Sequence, residues 1–410
     1  MAQNQRANPF VVNPGFRMDN QTLFFTSKDL NAFTRPTYLD NFGFFQDTFG
    51  VYSYMTLDKR GDFIVHKPKG VPLIWQPYKS CSIDPTKNVV VRSDRITPER
   101  AYAFTTLCHD QLFDSCFEQL IRYNNGAAPE LDAEGNAVLA QLVDEITANM
   151  NLGARYILTL GQLHGNDNID PNQPVSTQEL FTKTTTAARG WVPLFAALAD
   201  DGHTHLNVEN LIPASIQEDC KSGQIDVLDI YDKLECEAPK PLQNLINSGG
   251  VVQSNTTGQA QFRALFVVDG ELHNSIARQY REQSAQIAQN NPRIAKEYIT
   301  NPASGNPGWV YFIDDIPVIR LDDVNGYDQF LTSKTYFAGI IASGNIQLGM
   351  AYDSMPNDIE TPGASVLIQR NTNASTGSYG DYNMLAWNLF QVSLGDPNFA
   401  VATQRIVTPS

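Results

Sequence analysis

The chain has 410 residues, more than one hydrophobic core sustains, and 42% of them are hydrophobic, which places it among folded proteins rather than disordered ones. Its 29 Lys and Arg against 44 Asp and Glu leave a formal charge of -15. That balance excludes a protein that wraps nucleic acid, because such proteins neutralise phosphates with clustered cations, although an acidic wall can face packed DNA and repel it.

Residues 1–48 are rich in Asn and Phe with little periodicity, and read as an extended arm that needs a partner to bury Phe10, Phe24, Phe25, Phe42, Phe44 and Phe45. The start, "MAQNQRANPFVVNPGF", lacks the apolar run of a signal peptide, and no stretch has the roughly 18 to 20 apolar residues needed to span a bilayer, so no membrane partner is expected. Five cysteines at irregular spacing fit reduced thiols, hence a chain made and kept in a cytoplasm.

Residues 49–96 alternate short strand-like runs, "DFIVHK" and "NVVVRS", with turn chemistry at Lys69-Gly70, Pro72 and Pro77, which predicts a long projecting hairpin. This window is net +4, with Lys59, Arg60, Lys67 and Lys69 along it and Trp75 near its middle. The following 50 residues are net -7 and include Asp110, Asp114, Glu118, Asp144 and Glu145. Asymmetry on this scale marks complementary surfaces.

Thr97-Pro98 offers an N-cap with proline at the first helical position, and Phe104, Leu107, Cys108, Leu112, Cys116, Leu120 and Ile121 keep helical spacing until Asn124-Asn125-Gly126. A helix is therefore predicted over 98–123. A second pattern from Leu139 through Ile157 predicts another over 136–152, with a kink at Gly153 if it continues. Beyond about 190 the reading is mixed: a helix over "QIDVLDIYDKLECEA", a strand over "QFRALFVVD", a helix over "NSIARQYREQSAQIAQNN", then strands "GWVYFID", "IPVIRL", "KTYFAGIIA", "WNLFQVSL" and "NFAVATQRIV". No repeat of fixed period occurs.

Motifs that carry chemistry are few. No phosphate-binding glycine loop, no Gly-x-Ser-x-Gly elbow and no His-Glu-x-x-His helix is present, so no cofactor is expected. His203 and His205 in "DDGHTHL", with Asp200 or Asp201, could point one way on a strand and hold a metal if a third ligand arrived, but a polar turn needs no metal. Cys108, His109 and Cys116 are another possible set, yet on a helix the two cysteines share a buried stripe that His109 does not.

The stretch "YFIDDIPVIRLDDVNGYD" (311–328) raises the question of a carboxylate site. Placing Gly326 at the sixth position of a calcium loop puts Leu321 and Thr332 at the two end-ligand positions, so that chemistry fails. Asp314 and Asp315 on one strand would point to opposite faces, so a turn joining "VYFI" to "IPVIRL" fits better than paired catalytic acids. Asp322 and Asp323 read as the solvated end of a structural strand.

The order of arm, basic hairpin, acidic helix pair, mixed region and late strand pair resembles the major capsid proteins of tailed bacteriophages, with the Hong Kong 97-like fold. The segments that carry the resemblance are "LCHDQLFDSCFEQLI" and "LVDEITANMNLGARYILTLGQ" after the hairpin, then "FRALFVVDGELHNSIARQYREQ", "YFIDDIPVIRLDD", "KTYFAGIIASGNIQLGMAYD" and "LGDPNFAVAT". The "CHDQLFDSC" segment is similar to capsid proteins of crAss-like phages.

The resemblance implies an α+β fold with an N-terminal arm (1–48), an extended hairpin loop (49–96), a peripheral domain with a long spine helix (97–190), an axial domain (191–382) and C-terminal strands (383–410) returning to the peripheral domain. It also implies no active site. The work is self-assembly into hexamers and pentamers of an icosahedral head, built in a host bacterial cytoplasm, that encloses double-stranded DNA touched only by non-specific proximity. The arm's aromatic residues and the charged windows would then be buried on neighbouring copies. Partners implied are scaffolding, portal and decoration proteins of the same phage. The chain lacks the long charged helical segment some members use as a built-in scaffold, so a separate scaffold or none is implied. Some members also crosslink a hairpin lysine; Lys67 and Lys69 lie in a suitable hairpin, but exposed turn lysines are ordinary. A tail tube or sheath protein would instead be rich in strand with few long helices, and a metal-dependent hydrolase would need the His203 and His205 site.

Overall fold

The computed structural model describes residues 17–19, 22–24, 45–46, 48–57, 62–70, 89–107, 152–163, 169–213, 225–248, 251–253, 260–262, 264–285, 293–300, 307–350, 365–370 and 382–407. The chain divides into two compact units. One is formed by Met1–Thr37, Glu99–Arg155 and Met350–Phe390, the other by Tyr38–Pro98, Tyr156–Gly349 and Gln391–Ser410.

In chain order the first strands are β1 (Arg17–Asp19), β2 (Thr22–Phe24), β3 (Tyr52–Tyr54), β4 (Thr56–Leu57), β5 (Phe63–Gly70), β6 (Val89–Ile96) and β7 (Glu99–Leu107). Helix α1 spans 152–160, followed by α2 (Val175–Thr185), α3 (Trp191–Asp200), α4 (Val227–Glu237) and α5 (Lys240–Asn247). A small pair, β8 (Val251–Gln253) and β9 (Ala260–Phe262), leads to β10 (Ala264–Asp269), α6 (Gly270–Ala285), β11 (Ile294–Thr300), β12 (Pro307–Ile313) and β13 (Ile316–Leu321). The last strands are β14 (Lys334–Ala342), β15 (Ile346–Met350), β16 (Ser365–Arg370), β17 (Tyr382–Leu394) and β18 (Ala400–Val407).

In the first unit β7 runs antiparallel to β17 over nine residues, from Glu99↔Phe390 to Leu107↔Tyr382, and β16 flanks β17 on its other side. This corrects the helix predicted to start at Pro98. "ERAYAFTTL" alternates small with aromatic side chains and is rich in β-formers, so a nine-residue ladder outweighs the local capping signal of Thr97-Pro98. The remainder of that predicted helix, and the 136–152 segment except its last residue, lie outside the described residues. Part of the arm is also ordered on its own chain: β1 and β2 form a hairpin, and β2 pairs with β16 with Phe24 opposite Leu367.

The second unit is organised by a six-stranded mixed sheet in the order β11-β12-β13-β10-β14-β18. β10 and β13 are parallel, and the other pairs are antiparallel. All six residues of "ALFVVD" are buried, as are five of the six in "IPVIRL". Such continuous apolar runs belong to strands covered on both faces. On one face Ala264, Phe266 and Val268 meet Ile230, Tyr231 and Leu234 of α4, Leu242 of α5 and Leu272 and Ile276 of α6. On the other, Phe337 of β14 packs edge-on against Trp191 of α3 at 4.9 Å between ring centroids.

The helix expected over "QIDVLDIYDKLECEA" is α4, capped by the Asp226 carboxylate, which accepts from the Leu228 and Asp229 amides. The strands read at "GWVYFID", "IPVIRL" and "KTYFAGIIA" are β12, β13 and β14, whereas the strand read over "QFRALFVVD" is divided between β9 and β10, and the helix read from Asn274 begins at Gly270, with 286–291 outside the described residues. α2, α3 and α5 had no sequence prediction: α3 has the apolar composition of a buried segment, and α2 and α5 are short, so their periodicity is weak. Of the C-terminal strands, β17 pairs with β7 within 97–190, and the closing strand β18 pairs with β14 in the six-stranded sheet.

Candidate functional site

The acidic stretch 311–328 resolves into two constructions. Ile313 pairs with Ile316, leaving Asp314 and Asp315 as a two-residue hairpin loop with φ of 45° and 69°. Both central residues are left-handed, the conformation that matches strand twist, and aspartate tolerates it better than most residues. The turn expected from sequence is therefore present. Arg293 clamps it by donating to both Asp314 oxygens, at 3.1 Å and 3.3 Å from Nε, while its Nη1 reaches Asp232 on α4 at 2.9 Å. These hydrogen bonds to Asp232, then to Asp314, raise the guanidinium's proton affinity further. All three side chains are about 40–50% exposed, so the cluster is a surface tie rather than a catalytic centre. Asp315→Gly is expected to stabilise the unit by about 1 kcal/mol, because glycine adopts the left-handed conformation without a Cβ penalty; the urea midpoint of the purified protein measures it.

The second construction lies where β10 and β13 end. Asp269 is fully buried. Its Oδ1 accepts from the Glu271 and Leu272 amides at 2.7 and 3.0 Å, capping α6, and its Oδ2 accepts from the Phe337 amide of β14 at 2.8 Å. Asn325 Oδ1 accepts from the Gly270 amide at 3.0 Å, and its Nδ2 donates to Asp328 at 2.9 Å and the Thr335 carbonyl at 3.3 Å. Burial pushes Asp269 up to about 7 against the lowering effect of its three amide donors, and burial likewise raises Asp328 to about 6. Asp322 pairs with Arg320 at 2.6 Å. Asp323, expected to be solvated, is 4% exposed: the chain turns inward as a 3-10 helix over Asp322–Asn325, and Gly326 is required because a Cβ there would collide with the Tyr156 ring. These carboxylates tie strand ends to a helix start, and the groups they hold belong to the same chain.

The histidine pair is not on a strand. His203 precedes a 3-10 turn over Thr204–Leu206, its ring lies edge-on to His205 at 5.8 Å, and His205 Nε2 is 3.0 Å from the Pro397 carbonyl. Among the described residues, no group of three or more His, Cys, Asp or Glu is placed to hold a metal. Cys108, His109 and Cys116 lie outside them. No helix among the described residues is long and apolar enough to cross a membrane.

Of the candidate contact residues, Phe45 is 5% exposed and packs on Phe49 at 6.2 Å between ring centroids, so it is buried within its own chain. There Gln46 bonds both ways to the Tyr52 backbone, and β3 pairs parallel with β15, which makes the segment after the arm part of the second unit's core. Lys67 and Lys69 lie on β5, which pairs with β6 over eight residues from Phe63↔Ile96 to Gly70↔Val89. Antiparallel pairing within 49–96 is thus present, but Lys69 and Gly70, read as turn residues, are the last two positions of the ladder, and Pro72 and Pro77 lie outside the described residues. Phe10, Phe25, Phe42, Phe44, Lys59, Arg60, Trp75, Asp110, Asp114, Glu118, Asp144 and Glu145 lie outside the described residues. Asp269 and Asn325 were missed from sequence, although a strand ending in Asp-Gly before an amphipathic run is a capping signal.

No protein-family model and no curated protein matches the chain. Among solved structures it is similar to a chain of the satellite phage P4 procapsid that includes the size determination protein, at 9% identity and a TM-score of 0.45 over 91% of this chain and 96% of that one. It is similar to the capsid of a native GTA particle at 10% identity and 0.37, over 87% and 88%. A third likeness is to the SrpI encapsulin complex of Synechococcus elongatus PCC 7942, at 10% identity and 0.35, over 86% and 85%.

Proposed function

We propose that this chain is a structural subunit of a virion shell, a capsid protein of the Hong Kong 97-like kind that assembles with copies of itself into hexamers and pentamers around double-stranded DNA. The observation that carries the reading is the β5–β6 hairpin. It is a regular eight-residue ladder whose sheet, among the described residues, gains only the two-residue β4, and 18 further residues connect its strands. A two-stranded ribbon of that length is poorly stable by itself and calls for a surface to lie on. The hairpin window is net +4, whereas residues 97–146 are net -7, so a neighbouring copy offers the matching charge.

The mixed helix-and-sheet composition, with both faces of the central strands β10 and β13 covered, supplies a rigid body from which such a ribbon can act. The resemblance in feature order read from the sequence supports the same function. The acidic stretch 311–328 serves the fold in this reading. Electron microscopy of the purified protein, expressed alone and with candidate scaffold proteins, is expected to show capsomers or closed shells. A species of one-subunit mass under every condition would overturn the assignment.

A further inference from the structure

The six-stranded sheet treats its two edges differently. At β18 the chain covers the edge: the Val208 amide donates to the Ala402 carbonyl at 2.8 Å and Thr403 Oγ1 donates to the Val208 carbonyl at 2.7 Å. At β11, strand pairing among the described residues is to β12 alone. An uncovered edge is a template for another chain unless something blunts it.

The face beside that open edge is unusual in composition. Lys296 sits opposite Tyr311 and Tyr298 opposite Trp309, two steps apart along antiparallel strands, so all four side chains lie on one face. Tyr311 is covered by α6 through His273 and Tyr280, at 5.5 and 5.6 Å between ring centroids. Beyond the end of that cover, Tyr298 and Trp309 stack on each other at 4.9 Å, each 59% exposed. Lys296 Nζ stands 5.2 Å from the centroids of both Trp309 and Tyr311, and no carboxylate among the described residues pairs with it.

We propose that the Tyr298–Trp309 face and the adjoining β11 edge are a contact surface for a second copy of this chain, which brings a carboxylate to Lys296. Two arguments select this occupant. The first is charge: a cation held over aromatic rings without an anionic partner suits an acidic surface, and each copy carries a net -15. The second is size. Two half-exposed aromatic side chains offer roughly 250–300 Å², well short of the ~800 Å² per partner of a stable pairwise interface. One partner held here alone would dissociate readily, whereas a contact repeated around a closed ring, alongside others between the same copies, gains from its multiplicity. The inference rests on the shell reading and adds to it the residues that meet.

Hydroxyl-radical footprinting of Tyr298 and Trp309, on the unassembled subunit and on particles formed by this chain alone, tests it. Both residues are expected to react in the subunit and to lose most of that reactivity in particles. The variant carrying Trp309→Ala and Tyr298→Ala, and separately Lys296→Glu, is expected to melt as the wild type does while the concentration at which particles form rises about tenfold or more. Particles in which both rings stay reactive would overturn this surface and leave the shell reading intact. Protection already present in the single subunit, or appearing only when a different virion protein is added, would also overturn it. A wild-type chain that never assembles would remove both readings together.

Discussion

Replacing Asp269 by alanine is expected to cost about 3–5 kcal/mol of stability. The side chain is fully buried and is the hydrogen-bond acceptor of three amides from two elements, Glu271 and Leu272 at the start of α6 and Phe337 on β14. Truncation leaves those donors without partners in a site closed to water, and each orphaned amide carries about 1–3 kcal/mol. Urea unfolding followed by circular dichroism measures the loss; a midpoint shift within that of an ordinary surface substitution would show that α6 is not anchored there.

The same carboxyl gives stability a pH dependence. Burial raises Asp269 to about 7 in the folded chain, whereas an unfolded aspartate titrates near ~3.9. Between those values the folded state holds a proton that the unfolded state has lost, so stability falls as pH rises from about 4 to about 7. Asp269→Asn is expected to flatten that slope. Its amide presents one acceptor and one donor where the native carboxylate oxygens meet three N–H groups, so the variant is also less stable than the wild type at every pH.

Reversing Lys59, Arg60, Lys67 and Lys69 to glutamate is expected to abolish or strongly reduce particle formation while the subunit keeps its fold. The four changes turn the hairpin window from net +4 to net -4, so a ribbon attracted to the -7 segment of a neighbour becomes repelled by it. The fold is expected to survive because the hairpin's anchor within the chain is apolar: Phe63 at its base is fully buried. Sedimentation of expressed protein separates particles from subunits, and thermal unfolding checks the subunit. Raising salt should weaken wild-type assembly in the same direction, since exposed pairs are screened over about 8–10 Å at ordinary ionic strength. Wild-type particle yields from the reversed hairpin would refute charge pairing as the contact.

The residues that sequence reasoning placed well share one property, that local pattern and tertiary demand agree. "ALFVVD", "IPVIRL" and "KTYFAGIIA" are apolar except near their ends, and such runs at that length suit a strand covered on both faces. The Asp314-Asp315 turn was legible because two adjacent aspartates between β-forming runs fit a left-handed loop and fit a shared cleft badly. His203 and His205 could not be placed, since a polar turn entering a strand and a 3-10 turn have the same composition.

By itself the sequence determined which segments are apolar, the turn at Asp314-Asp315, and how charge divides between the hairpin window and the 50 residues after it. All of these are properties of a few neighbouring residues. The tertiary structure decided what long-range pairing controls. Residues 99–107 became a strand because β17 offered nine partners, β18 joined the six-stranded sheet because β14 lay open beside it, and Asp323 went inside because the chain folded over it. The β7–β17 and β14–β18 ladders, and the bond from the Phe337 amide to Asp269, join groups tens or hundreds of positions apart, and no local window contains both partners.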